Sequence, residues 1–473
     1  MGDAVGLMRM KILLIFPDVQ DNLDLFSKGS GITNVVRPIL GLGKSNMVPP
    51  LSLLMLAAVT PEDVEVQILD ERLESIRFDQ KADLVGISVV TKTALRAFEI
   101  ADQFRQRSVR VVIGGIHPSV LPKECIQHAD AVVIGEGEKV WPKLLEDLKA
   151  GSLKPFYYGG HTNDPSGHPW PKRSALAHPD WYLTTRIIMA SRGCENQCTF
   201  CSCGAALGKR YRKRKVEDVV KEIQSVPGPV VHFLDDNLGW DPLFSKKLLR
   251  SLIPMKINWI GAFNVSALQD PELVELIAKS GGISIDIGFE SISSQVITEI
   301  KKDRTNDLNQ YRPVIQRLHD NGISIYGNFI VGFDHDQLTV FQDLINFIEE
   351  TNIECPMVNI LMPYPGSVLF RTLERQGRLL HKNWNYYDDT SPCVVYRPLN
   401  MSPEELTQGY LHVINSVNIT SAYARRVLRA KTYNFTSVFL GYFFNAQKNR
   451  AVKSGLEKTS SALQLAYSKA ADT

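Results

Sequence analysis

Cys194-Glu195-Asn196-Gln197-Cys198-Thr199-Phe200-Cys201 sets three thiols in one short loop, separated by three residues and then by two. The loop follows an apolar run, Ile187-Ile188-Met189-Ala190, that reads as a strand. Three thiolates so placed can hold three irons of a cubane cluster and leave the fourth iron open to a small chelating ligand. A zinc knuckle is the competing reading, because Cys203 adds a fourth thiol to the loop. Structural zinc sites usually draw ligands from two separated loops, and the other close pair, Cys125 and His128, lies in what reads as a different domain. A cluster is the expected occupant, with Cys203 a bystander.

Outward from that loop, 473 residues give material for two or three domains. A net charge of +2 argues against bulk attraction to nucleic acid or to a membrane. Seven cysteines, three of them in one loop, form no disulfide framework. Thiolate and iron–sulfur chemistry imply a reducing cytoplasm. Met1 to Met10 lacks the basic-then-apolar order of a signal peptide, and no apolar run reaches the length of a membrane span.

Upstream, residues 1–151 read as strand and helix in alternation. Lys11 to Phe16, Val64 to Leu69, Asp83 to Val90, Arg110 to Ile113 and Asp130 to Ile134 are the strands. Five strands with crossover helices predict a doubly wound, flavodoxin-like (Rossmann-like) sheet. Ligands of such sheets lie beyond the carboxyl ends of the strands. Those ends carry Ser88, then Gly114-Gly115-Ile116-His117-Pro118, then Gly135-Glu136-Gly137-Glu138. Paired glycines let backbone approach a flat macrocycle closely, although tight turns alone would also ask for them. No Gly-x-Gly-x-x-Gly follows the first strand, which disfavours a dinucleotide.

Residues 152–185, rich in Gly, Pro, His and aromatics, read as a linker, with Tyr157, Tyr158 and Trp170 packing across a domain interface. From Arg186 to Pro365 a second alternation supplies six βα-type units, too few for a closed eight-fold barrel and right for a partial one. Its strands end in Asp235-Asp236-Asn237, Gly288-Phe289-Glu290-Ser291 and Val331-Gly332. Residues 366–473 read as a small helical domain, with Ser402 capping a helix that opens on Pro403. Tyr433 to Phe444 is aromatic-rich, compatible with an apolar substrate or peripheral membrane contact; a core-facing helix is the alternative and is favoured. From Ser454 the chain is small and polar and is expected to fray.

The cysteine loop, with Phe200 just before its last cysteine, resembles the cluster loop of radical S-adenosylmethionine (SAM) enzymes. The Gly-Gly-x-His-Pro and Gly-Glu-Gly-Glu turns ahead of it resemble the cobalamin-binding domain that precedes many such cores. The C-terminal region resembles the hopanoid-type C-methyltransferases. The resemblance implies a 4Fe-4S cluster on Cys194, Cys198 and Cys201. It implies SAM contacts from Asp235, Asp236 and Asn237 to the amino group, from Glu290 and Ser291 to the ribose hydroxyls or carboxylate, from Arg212 to the carboxylate, and from Gly332 near the adenine. It implies cobalamin against Ser88, Gly114, Gly115, His117, Gly135, Glu136 and Gly137. The loop after the first strand, beginning Pro17-Asp18-Val19-Gln20-Asp21-Asn22, has no histidine, so the cobalt would be held without one.

The activity so implied is methylation of an unactivated carbon, through a 5′-deoxyadenosyl radical and a methyl group carried by cobalamin. A cyclase or ring-rearranging enzyme with the same cofactors is one alternative, and a sensor without turnover is another. The implied partners are a small-molecule or lipid-like substrate and an electron donor such as flavodoxin or ferredoxin. The run Lys209 to Lys215 suggests a phosphate-binding patch, but the extra RNA-binding barrel of transfer-RNA-modifying relatives is not seen, so nucleic acid is not expected.

Overall fold

The computed structural model describes residues 9–18, 48–161, 165–167, 169–206, 208–388, 392–442, 445 and 448. The chain forms two compact units, dividing at Thr185/Arg186 apart from short exchanged segments. Asn22, and the expected frayed tail from Ser454, lie outside the described residues.

The first unit is a parallel sheet in the order β2-β1-β3-β4-β5-β6. β1 (Met10–Phe16) lies between β2 (Val64–Asp70) and β3 (Leu84–Ser88). Ile12 to Ile15 are all buried, as a strand covered on both faces requires. β4 (Arg110–Gly114) and β5 (Ala131–Gly135) extend the sheet in the expected order. A sixth strand was not foreseen: Phe156–Gly160, read as linker, is β6 and pairs parallel with β5. Tyr157 is buried, and its hydroxyl donates to Asp147 within this unit. The following segment returns over the same unit, where the Tyr182 hydroxyl donates to Asp70.

The second unit is a parallel sheet in the order β14-β13-β12-β11-β10-β7. These are β7 (Ile187–Ile188), β10 (Val230–Phe233), β11 (Asn258–Phe263), β12 (Gly282–Glu290), β13 (Ser324–Val331) and β14 (Cys355–Ile360). Neighbours in sequence are neighbours in the sheet, and β7 and β14 are its edges, as in a partial (β/α)6 barrel. Helix Val216–Ser225 buries Val216, Val219 and Ile223, which recur at helical spacing. The basic run before it contains a short strand, β9 (Arg212–Lys213), antiparallel to β8 (Ser191–Arg192). At least two of its six charges are in ion pairs: Arg214 with Asp218 and Glu222, and Lys213 with Asp241.

The C-terminal helices Pro403–Val417 and Thr420–Ala430 are part of this second unit rather than a separate body. A Cβ on Gly409 would sit 2.1 Å from the Phe341 ring, so that helix lies flush on Val340–Thr351. Fully buried Arg426 pairs with Glu349. Residues 435–442 are helical. Leu440 of that helix is buried while Tyr433 and Phe435 are exposed. The first C-terminal helix, Val368–Arg375, stops where the chain turns at Gly377 with φ 65°.

Candidate functional site

The cysteine loop is anchored at both ends. At its start, buried Asp235 at the end of β10 accepts from the amides of Ala190 and Ser191 and from the Ser191 hydroxyl. Gly193 follows with φ 79°, and a Cβ there would lie 2.6 Å from the Arg210 carbonyl, so glycine is needed. Further on, Thr199 donates its amide to the Ile300 carbonyl and accepts from the Leu369 amide. Phe200 meets Phe333 edge-on at 6.3 Å.

Cys201 is exposed, and Cys194, Cys198 and Cys203 are half-buried, all free of disulfides. Burial pushes the Cys198 thiol up to about 12, opposed by the Lys302 ammonium. Cys201 falls to about 7 because the Cys203 thiol hydrogen-bonds to it, and Cys203 rises well above its usual range in return. The Cys203 amide also donates to the Cys201 sulfur at 3.4 Å. No three His, Cys, Asp or Glu side chains among the described residues converge tightly enough for a single metal ion. A cube takes its thiolates at separate corners, so three thiols sharing one loop fit it better than they fit one tetrahedral ion.

Around the loop the strand ends divide into committed and open groups. Asp235, expected at the SAM amino group, is spent on the loop anchor, and burial raises its carboxyl to about 7. Asp236 beside it is exposed. The buried Oδ1 of Asn237 has no hydrogen-bond partner among the described residues, an acceptor that a ligand amine would satisfy. Arg212 is buried and faces Asp236 electrostatically. Ser291 is buried and accepts from the Ser293 amide.

Glu290 adopts φ 64°, rare for a side-chain-bearing residue. It pairs with buried Lys302, which also donates to the Gly288 carbonyl at 2.8 Å. Burial alone would discharge that ammonium, but the Glu290 carboxylate beside it holds it charged. A Cβ on Gly288 would strike both side chains. Lys302 escaped the sequence reading, since a Lys301-Lys302 pair after a helix looks like any solvated pair. Gly332 has φ 101°, and a Cβ there would meet the Tyr396 hydroxyl at 2.5 Å, so the turn requires glycine.

In the first unit the glycine turns serve the backbone first. A Cβ on Gly115 would lie 2.6 Å from the Val89 carbonyl, and one on Gly135 would lie 2.7 Å from that of Gly160. Close backbone packing therefore requires glycine at both positions. His117 is fully buried, with Nδ1 3.4 Å from Thr91 Oγ1 and Nε2 3.6 Å from the Glu124 carboxylate. It is a core histidine. Glu136 is buried and its amide donates to Gly160. A Cβ on Gly137 would meet Leu56 at 3.2 Å. Ser88, bonded to Ser52 at 2.9 Å, and Gly114, where a Cβ would make only ordinary contacts, leave the strand ends free of bulk. Small groups at adjacent strand ends fit a flat macrocycle laid across them.

Residues 44–145 match the family described as B12 binding domain, and residues 188–348 match the radical SAM superfamily. The chain is 30% identical over 412 residues to the bacteriochlorophyllide d C-12(1)-methyltransferase of Chlorobaculum tepidum, covering 85% of this chain and 88% of that protein. It is 24% identical over 400 residues to the hopanoid C-2 methylase of Rhodopseudomonas palustris, covering 80% and 72%. In fold it resembles the radical SAM methyltransferase TsrM from Kitasatospora setae, whose structure holds cobalamin and a 4Fe-4S cluster. That likeness has a TM-score of 0.61 at 16% identity over 85% of each chain.

Proposed function

Because the chain belongs to the cobalamin-dependent radical SAM methyltransferases, we propose that it methylates an unactivated carbon of a cyclic, largely apolar small molecule. The observation that carries the reading is the cysteine loop braced by Asp235 and by the turn bearing Lys302, with Glu290 and Asn237 beside it. Relatives named for chlorophyll-type tetrapyrroles and for hopanoids support the substrate class.

When bound, cluster and SAM supply a carbon-centred radical, and the corrinoid supplies the methyl group. This chain's part is to hold and orient them. Cys194, Cys198 and Cys201 hold three irons. Asn237 and Asp236 would accept from the SAM amine, and the Lys302 ammonium holds the Glu290 carboxylate in place beside the loop. Arg212 balances negative charge beside Asp236. Ser88 and Gly114 leave room for the corrin edge. An electron donor of the flavodoxin or ferredoxin type and a reducing cytoplasm complete the proposal. Among the described residues no helix is long and apolar enough to cross a membrane.

The test is anaerobic reconstitution with iron, sulfide and hydroxocobalamin, then SAM, reductant and a panel led by bacteriochlorophyllide-type tetrapyrroles. The expected result is 5′-deoxyadenosine, S-adenosylhomocysteine and a product heavier by one methylene, all lost in Cys198→Ala. Deoxyadenosine with a product of unchanged carbon count would overturn the methylation.

A further inference from the structure

Inside the sheet of the second unit lies a hollow of about 360 Å³. Parallel barrels ordinarily fill their interior with layers of branched apolar side chains. Here the alternation along β12 sends Ile283, Ile285 and Ile287 into the packed layer, while Ser284 and Asp286 line the hollow. His232, Ile260 and Tyr326 line it from β10, β11 and β13, and Ser437, Leu440 and Gly441 of the 435–442 helix line it too. Ser437 is tied to Ser324, the first residue of β13, at 3.0 Å between hydroxyls.

The polar groups facing this space are unequal. Asp235 is spent on the loop anchor, and Glu354 accepts from His319, the Ile325 amide and Thr432. His232 has no partner among the described residues: its Nδ1 is sealed and unpaired, which leaves Nε2 opening on the hollow. The tautomer with the proton on Nε2 avoids a buried unpaired N–H, so His232 offers a donor. Asp286 is bonded to Asn328 through Oδ1. No lysine or arginine lines the space among the described residues, so nothing there would balance an anion. Asp286 precedes Glu290 by four residues, roughly 13 Å along the strand. On β12 and β13 the hollow lies against the first half of the strands, and on β10 it reaches Leu234 and Asp235, just past the strand's end.

We propose that this hollow is a ligand site of its own, taking a neutral, largely apolar molecule that presents a carbonyl or hydroxyl oxygen to His232 and Asp286. Burial draws His232 down to about 4 and raises Asp286 to about 7, so neither is firmly charged at neutral pH. An apolar body packs on Ile260, Ala262 and Leu440 while its oxygen meets the two polar groups. A hydrogen-bonding contact in an apolar pocket fixes orientation more than it adds affinity.

The test is equilibrium dialysis of tritiated progesterone, a neutral apolar probe with ketone oxygens, against the full-length reconstituted holoenzyme. Saturable binding is expected. Ala262→Phe fills the hollow and lowers affinity by at least about tenfold. His232→Phe keeps the ring and removes the donor, for a loss of about tenfold. Leu428→Ser, at an exposed position, leaves binding unchanged. Absence of saturable binding by the parent protein overturns the proposal. So does parental affinity in His232→Phe with a native circular dichroism spectrum, or an equal loss in Leu428→Ser. Should Ala262→Phe fail to fold, His232→Phe decides.

Discussion

Lys302 holds a charge where charge is costly. A buried pair gives up hydration that its own attraction barely offsets, and it stays in place because removing one partner strands the other. Lys302→Met leaves the Glu290 carboxylate buried and unpaired, with an expected loss of about 3–5 kcal/mol in denaturant unfolding. Adding Glu290→Gln should recover most of that loss, which a double-mutant cycle reads directly. Gly332→Ala is expected to cost about 2 kcal/mol or more, because its φ of 101° and the neighbouring Tyr396 hydroxyl both oppose a Cβ. At this scale the sequence was uneven. The cysteines were legible because their chemistry depends on spacing along the chain. The partners of Lys302 and Asp235 were not, because Gly288, Glu290 and Ser191 reach them only after the strands have assembled.

Elements were easier to read, because strand and helix periodicities are written in consecutive residues. Ser402 illustrates it. Its side chain accepts from the Glu405 amide at 3.1 Å, and Glu405 accepts in return from the Ser402 amide at 2.7 Å. Ser402→Ala should therefore lower stability by about 1 kcal/mol, read by denaturant unfolding, with amide exchange quickening in the first turn of Pro403–Val417. The reading failed where pattern was short. β6 has five residues, Phe-Tyr-Tyr-Gly-Gly, whose glycines look like punctuation. Its neighbours explain it: a Cβ on Gly159 would lie 1.8 Å from the Glu136 carbonyl, so that strand is built for close approach.

For the whole molecule, the buried carboxyls make stability depend on pH. Asp286 keeps its proton up to about pH 7 when folded, against 3.8 ordinarily. Between those values the folded chain binds more protons than the unfolded one, so stability falls as pH rises, and the loss is complete above 7. At roughly 1.4 kcal/mol per unit the cost is a few kcal/mol at most. Asp286→Asn removes that titration. Its melting temperature should exceed the parent's at pH 8, and the difference should shrink steadily toward pH 4. A constant difference across that range would contradict the assignment. Asp235 shifts the same way in both proteins, and His232 titrates below 6.5 in both, so the comparison isolates Asp286.

What the sequence by itself determined was the order of two parallel α/β units, the cysteine triad and the cap on the Pro403 helix. Each of those is a property of residues near one another along the chain. Only the assembled fold shows that Asp235 braces the cysteine loop, that backbone or side chains close on Gly115, Gly135 and Gly332, and that Lys302 sits beside the cysteines. It also decided that the inner face of the second sheet stays hollow. Those outcomes depend on which side chains from distant strands share one small volume, and no local periodicity carries that information.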